Sequence, residues 1–222
     1  MVNQFGFGMP TANVTRFLII IIGLFLAFAV LGHTSLGGYV YSKLVLNPYQ
    51  AIYSGEVWRV FTYGFLHDAN SPLHVIFNGL MLYMIGPQLE DRWGEKRFLL
   101  FILCAVLLGG LFVCLSFILG LSSSYVVGFS AATIALLIAW GLTYPQNQMY
   151  VFGILPLTGR QMVYGTIGLE VIFSVSSNGI SSAAHFGGIA TAFIFTMGWY
   201  KPQRLKQLWN QAKIKRNMRI VR

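Results

Sequence analysis

Acidic side chains are scarce in this chain, six in 222 residues, and charged residues of both signs make up only 9%. A soluble surface carries about a quarter charged residues, so a water-facing globular domain is excluded. Cysteine is nearly absent too. Cys104 and Cys114 stand ten positions apart in one uncharged run, about 15 Å along a helix. That distance rules out a disulfide between them in a straight helix, and both read as inert apolar filler. Four histidines occur, but His74 and His185 have no carboxylate or thiolate companions at matching depth, so zinc binding is not expected. No cofactor is called for.

What is present is apolar: 56% of the residues are hydrophobic. A hydrocarbon core takes about 20 helical residues per crossing, which leaves room for five to seven spans and no separate soluble domain. The first fifteen residues lack the order of a cleavable signal peptide, and the apolar run after Arg16 reads as a retained first span. The net charge of +9 is concentrated at one end, because residues 201–222 hold eight of the fifteen basic residues and no acidic one. A basic tail beside an apolar span is expected on the cytoplasmic side, with anionic lipid headgroups as a secondary contact. Nucleic-acid binding is not expected, since no folded module accompanies the charge.

Six spans are expected: about 17–31, 72–88, 98–121, 125–142, 160–175 and 180–200. The organisation is then a short cytoplasmic N-terminus (1–16), a six-span membrane domain (17–200) and a basic cytoplasmic tail (201–222). The segment from Gly32 to Ser71 is too broken to span and too aromatic to float in water. It is expected to be a structured loop in the outer interface, with Trp58 and Arg59 as anchors. With both termini cytoplasmic, spans two, four and six all start at the outer face.

That parity brings polar residues into one layer. His74 and Asn78 sit one turn apart near the start of span two, Ser130 near the start of span four and His185 near the start of span six. Polar side chains in a membrane are costly and mark function by default. Ser130 reads as a nucleophile with His185 as its general base. His74, Asn78 and the Ser130 N–H read as oxyanion donors. No intramembrane aspartate is evident to orient His185, so a dyad is expected. Small residues flank both partners, among them Gly128, Ala131 and Gly188, and permit the close helix approach that a Ser–His hydrogen bond needs. His33 and His67 read as interfacial packing residues.

The set Glu56-Val57-Trp58-Arg59, His74-Val75-Ile76-Phe77-Asn78, Gly128-Phe129-Ser130 and Ala184-His185-Phe186-Gly187-Gly188, in this order and spacing, resembles the rhomboid intramembrane serine proteases. The resemblance runs from about Trp58 to Ala192. It implies an all-α six-span bundle with a long interfacial first loop, and a Ser130–His185 dyad that opens outward. It further implies serine endopeptidase activity on transmembrane segments of client membrane proteins. Glu90 is similar to the family's acidic folding residue. Ala131 and Ala192 stand where the family has glycine, and Ile134 where it often has an aromatic residue stacked on the histidine. These departures motivate an alternative, a catalytically silent relative that binds transmembrane clients. Glu170 is not needed by the protease reading and is expected to be protonated or bonded to a neighbouring helix; a proton or solute transporter would rest on it alone. The link 175–182 is suited to act with span five as a gate. A multi-pass protein of a bacterial inner membrane is expected.

Overall fold

The computed structural model describes residues 9–121, 125–151, 154–176, 180–198 and 209. The basic tail expected over 201–222 therefore lies almost wholly outside the described residues, as do the first eight positions and the centre of the 175–182 link.

The described residues are mostly helical, with one hairpin. Helix α1 covers Ala12–Leu31. Three short helices follow where an interfacial loop is expected: α2 (Ser35–Leu44), α3 (Pro48–Tyr53) and α4 (Arg59–Thr62), the last running into a 3-10 turn at Tyr63–Phe65. Then come α5 (Pro72–Trp93), α6 (Glu95–Ile118) and α7 (Ser130–Thr143). An antiparallel hairpin, β1 (Gln148–Val151) with β2 (Leu155–Thr158), pairs Gln148 with Thr158. Helices α8 (Gly159–Ser176) and α9 (Ile180–Thr196) complete the bundle. By length and composition, α1 and α6 are able to cross a membrane on their own. Large apolar side chains such as Ile19, Val30, Leu36, Ile118 and Val175 face outward, the exterior a helical bundle presents to lipid.

Helix α6 forms the centre, packed on α1, α3, α4, α5, α7 and α9. The loop is tied down by Arg59, which is 1% exposed. Its Nη1 donates to the Ser42 and Val45 carbonyls at 2.6 Å, and its Nε donates to Glu56 at 2.5 Å. A buried guanidinium is tolerable because carboxylate and carbonyls satisfy it together. Trp58 Nε1 donates to the Lys43 carbonyl at 2.9 Å, so both residues anchor the loop. Glu56 accepts from Lys43 and Arg59, and those two hydrogen bonds hold its carboxyl below the usual range. Buried Glu90 accepts from Asn13 Nδ2 at 2.7 Å and from the Thr11 hydroxyl. It thereby fastens the start of α1 to α5, as befits a folding position.

Several boundaries differ from the expected ones. Helix α1 begins at Ala12 rather than about Phe17, and α6 begins at Glu95 rather than Phe98. Helix α5 does not end at Gln88 before the charged turn. It continues through Pro87 to Trp93 and stops at Gly94, whose φ of +82° suits glycine. Residues 125–129 are not the first turns of a span: Val126 bridges to Leu46 with hydrogen bonds of 3.0 and 3.1 Å, so α7 starts only at Ser130. Extended backbone paired with the first loop wins there over the apolar pattern.

Candidate active site

Ser130 is thus the first residue of α7, whereas the expected span placed it five residues after its start. The turn that delivers it is made at Gly128, with φ +128°, a conformation side chains rarely adopt. A Cβ at Gly128 would also lie 2.5 Å from His74 Cε1, so the His74 ring rests directly on this backbone. The Gly128 N–H donates to the Tyr63 carbonyl at 3.1 Å. N–H groups of a first helical turn lack intrahelical acceptors and carry the positive end of the helix dipole. Ser130 therefore comes with a built-in place for negative charge.

Helix α9 brings His185 to the same point, with Nε2 2.8 Å from Ser130 Oγ. The approach depends on missing side chains. A Cβ at Gly188 would fall 2.1 Å from the Ala131 carbonyl oxygen, and one at Gly187 would fall 2.7 Å from Gly109 Cα. Backbone therefore packs on backbone where α6, α7 and α9 meet. The extra methyl of Ala131 does not widen the Ser–His distance, because it points at Gly109, where a Cβ would stand 2.7 Å from it. Ala192, fully buried, is absorbed in the core as well.

The other nitrogen of His185 is also engaged. Nδ1 lies 2.8 Å from Glu170 Oε2 of α8, and the two side chains are 18% and 8% exposed. The expectation of a histidine without an acidic partner is therefore corrected. The acid comes from the adjacent helix, and its side chain bonds the imidazole across the α8–α9 contact.

On the opposite side of Ser130 lies a second buried polar set. Thr133 Oγ1 donates to Asn78 Oδ1 at 2.8 Å, and Asn78 Nδ2 lies 3.0 Å from His67 Nε2. An amide nitrogen only donates, so His67 Nε2 is the acceptor. The Phe129 N–H also points to it, at 3.4 Å. The rings of His67 and His74 meet edge to face with centroids 5.2 Å apart. His67 is thus no interfacial packing residue; it is 1% exposed, and its Nδ1 has no hydrogen-bond partner. It sits in the link before α5, where burial, with a smaller contribution from His74, pushes it down to about 4. A signal was available, since a histidine seven residues before His74 returns to its level once the chain turns into α5. His33 lies exposed at the α1–α2 turn, away from the site.

All four residues expected to carry chemistry are placed around the start of α7. Ser130 and His185 are in direct contact, His74 reaches the site through Gly128, and Asn78 reaches it through Thr133 and His67. Among the described residues, no group of three His, Cys, Asp or Glu side chains is gathered to hold a metal. A serine hydroxyl hydrogen-bonded to an imidazole at a helix start lies within an outwardly apolar helical bundle, the build of a helical membrane protein. The chain belongs to the rhomboid family: the model of the Rhomboid domain matches residues 54–202. It is 29% identical over 158 residues to the Rhomboid protease GlpG of Klebsiella pneumoniae, covering 68% of this chain and 52% of that one. It is 30% identical over 155 residues to the Rhomboid protease GlpG of Salmonella newport, with the same coverage. The chain spans about half the length of these relatives.

Proposed function

We propose that the protein is an intramembrane serine protease that cleaves transmembrane segments of client membrane proteins, with Ser130 as nucleophile and His185 as general base. The observation that carries this reading is the 2.8 Å contact between Ser130 Oγ and His185 Nε2 in a chain of the rhomboid family. Ser130 Oγ attacks the scissile carbonyl carbon while its proton passes to Nε2. The oxyanion is received by the Ser130 N–H, His74 and the Asn78 amide hydrogen not given to His67. Collapse breaks the C–N bond, and His185 returns the proton to the leaving amine. A water deprotonated by His185 then hydrolyses the ester, releasing the new carboxylate and restoring Ser130.

The six helices α1, α5, α6, α7, α8 and α9 are the spans in this reading. The site faces the outer side, both termini are cytoplasmic, and the membrane is a bacterial inner membrane. Helix α8 with the link after it is the element suited to admit a client. The silent-relative reading rests on Ala131 and Ile134; Ala131 leaves the Ser–His hydrogen bond in place, and cleavage separates the two readings. The test is cleavage of a model transmembrane substrate by purified protein in liposomes. Wild type is expected to cut, and Ser130→Ala and His185→Ala, folded as judged by unchanged melting, are expected to fall by about 10³-fold or more. Equal residual cutting by Ser130→Ala would refute the assignment.

A further inference from the structure

We propose that Glu170 is a positioning residue that holds His185 in the one tautomer able to take the proton of Ser130, so that the centre is a Ser130–His185–Glu170 triad rather than a dyad. This rests on the protease reading above. Glu170 is 6% exposed, and an ionised carboxylate in an apolar bundle is costly unless it is paired and hydrogen-bonded. Among the described residues packed around it, one ionisable partner is offered. Helix α7 has no titratable side chain, strand β2 has none, α9 has only His185, and the others on α8 are Arg160 and Tyr164, both exposed. The carboxylate meets Nδ1 of the very imidazole whose Nε2 meets Ser130 Oγ.

Two proton placements satisfy this pair of hydrogen bonds. With Glu170 ionised, Nδ1–H donates to Oε2 and Nε2 is a bare acceptor for the serine proton. With Glu170 protonated, its O–H donates to Nδ1, Nε2 carries the hydrogen, and His185 has no lone pair to offer Ser130. Only the first is competent as a base. In the first, transfer of the serine proton to Nε2 turns a neutral imidazole beside a carboxylate into an imidazolium–carboxylate pair, and the carboxylate stabilises the charge as it forms. Glu170 neither gains nor loses a proton during the reaction, which is the role of the third member in serine hydrolases that use an acid. Loss of an equivalent acid elsewhere costs about 10⁴-fold in kcat with the geometry intact. A buried Glu that merely clasps α8 to α9 would be served by any donor on α9 and would leave the tautomer indifferent.

The test compares wild type, Glu170→Gln and Glu170→Leu in bicelles. Nitrogen-15 spectra of His185 are expected to show Nδ1 protonated and Nε2 bare in wild type, and the proton redistributed towards Nε2 in Glu170→Leu. In liposomes, Glu170→Gln keeps the shape and loses the charge. Its kcat on a model transmembrane substrate is expected to fall on the order of 10²–10⁴-fold, with KM within about threefold and melting unchanged. An unchanged His185 spectrum in Glu170→Leu, or wild-type kcat in Glu170→Gln, would overturn the proposal and leave Glu170 a clasp. If wild type shows the expected tautomer and Glu170→Leu shifts it, but neither wild type nor any variant cuts, the positioning role stands and the protease reading falls.

Discussion

The two polar groups flanking the start of α7 are built on opposite terms. On one side, Asn78, Thr133 and His67 are 4%, 5% and 1% exposed, and they are locked to one another by hydrogen bonds from α5, α7 and the preceding link. On the other side, Ser130 and His185 are half-buried, and the His185 side chain keeps 18% of its exposure. The first group is enclosed, holds the backbone that presents Ser130 and, in the protease reading, gives one Asn78 amide hydrogen to the oxyanion. The second, which in the protease reading meets water and substrate, is more open and is held by contact between helix backbones. Enclosure fixes geometry without reactivity, and openness supplies reactivity at the cost of a geometry that depends on three helices staying together.

Breaking that backbone contact should have the largest effect. Gly188→Ala places a methyl 2.1 Å from the Ala131 carbonyl oxygen, so α9 must shift away from α7. Cleavage should fall by about 10²-fold or more, since a displacement of about 1 Å at reacting groups costs that much. Stability in mixed micelles should drop by about 1–3 kcal/mol.

The enclosed side should respond instead to pH. His67 is held neutral, at about 4 against an ordinary 6.5, so the unfolded chain binds more protons than the folded one between those values. Stability should therefore fall as pH is lowered through that window, by about 1–2 kcal/mol at pH 5 relative to pH 7. His67→Gln, which keeps an acceptor for Asn78, should flatten the dependence in unfolding titrations. A wild-type slope retained in that variant would show that another group carries it.

The smallest effect sharpens the comparison from the open side. Ala131→Gly removes the methyl that faces Gly109. It should cost about 1 kcal/mol through helix propensity and leave cleavage within about threefold, because the Ser–His distance is set by Gly188. A large gain in rate would show that the methyl holds the pair apart after all.

Much of this site could be read before folding. Ser130, His185, His74 and Asn78 stood out because each is a polar residue at the start of an apolar run, and alternation of direction from helix to helix sets their depths alike. The partnership of Glu170 with His185 was missed because a single acid in an apolar run reads first as a cost. Yet Asn178 lies eight residues after Glu170 and seven before His185, so an antiparallel helix pair turning there brings the two to one level. His67 was hidden by lying outside any periodic pattern. The start of α7 was hidden because residues 125–129 are as apolar as the helix that follows, and only the pairing of Val126 with Leu46 and the turn at Gly128 keep them out of it. Pro87 failed to end α5 because the bundle packs around it, leaving it buried with Ile85 and Leu89.

Activation of Ser130 by His185 is tested by treating the purified protein with a fluorophosphonate and mapping the adduct by mass spectrometry. One modified residue, Ser130, is expected in wild type, with labelling abolished in Ser130→Ala and slowed by at least about 10²-fold in folded His185→Ala. Labelling of Ser130 at the same rate with and without His185, or no labelling of the wild-type protein, would contradict it.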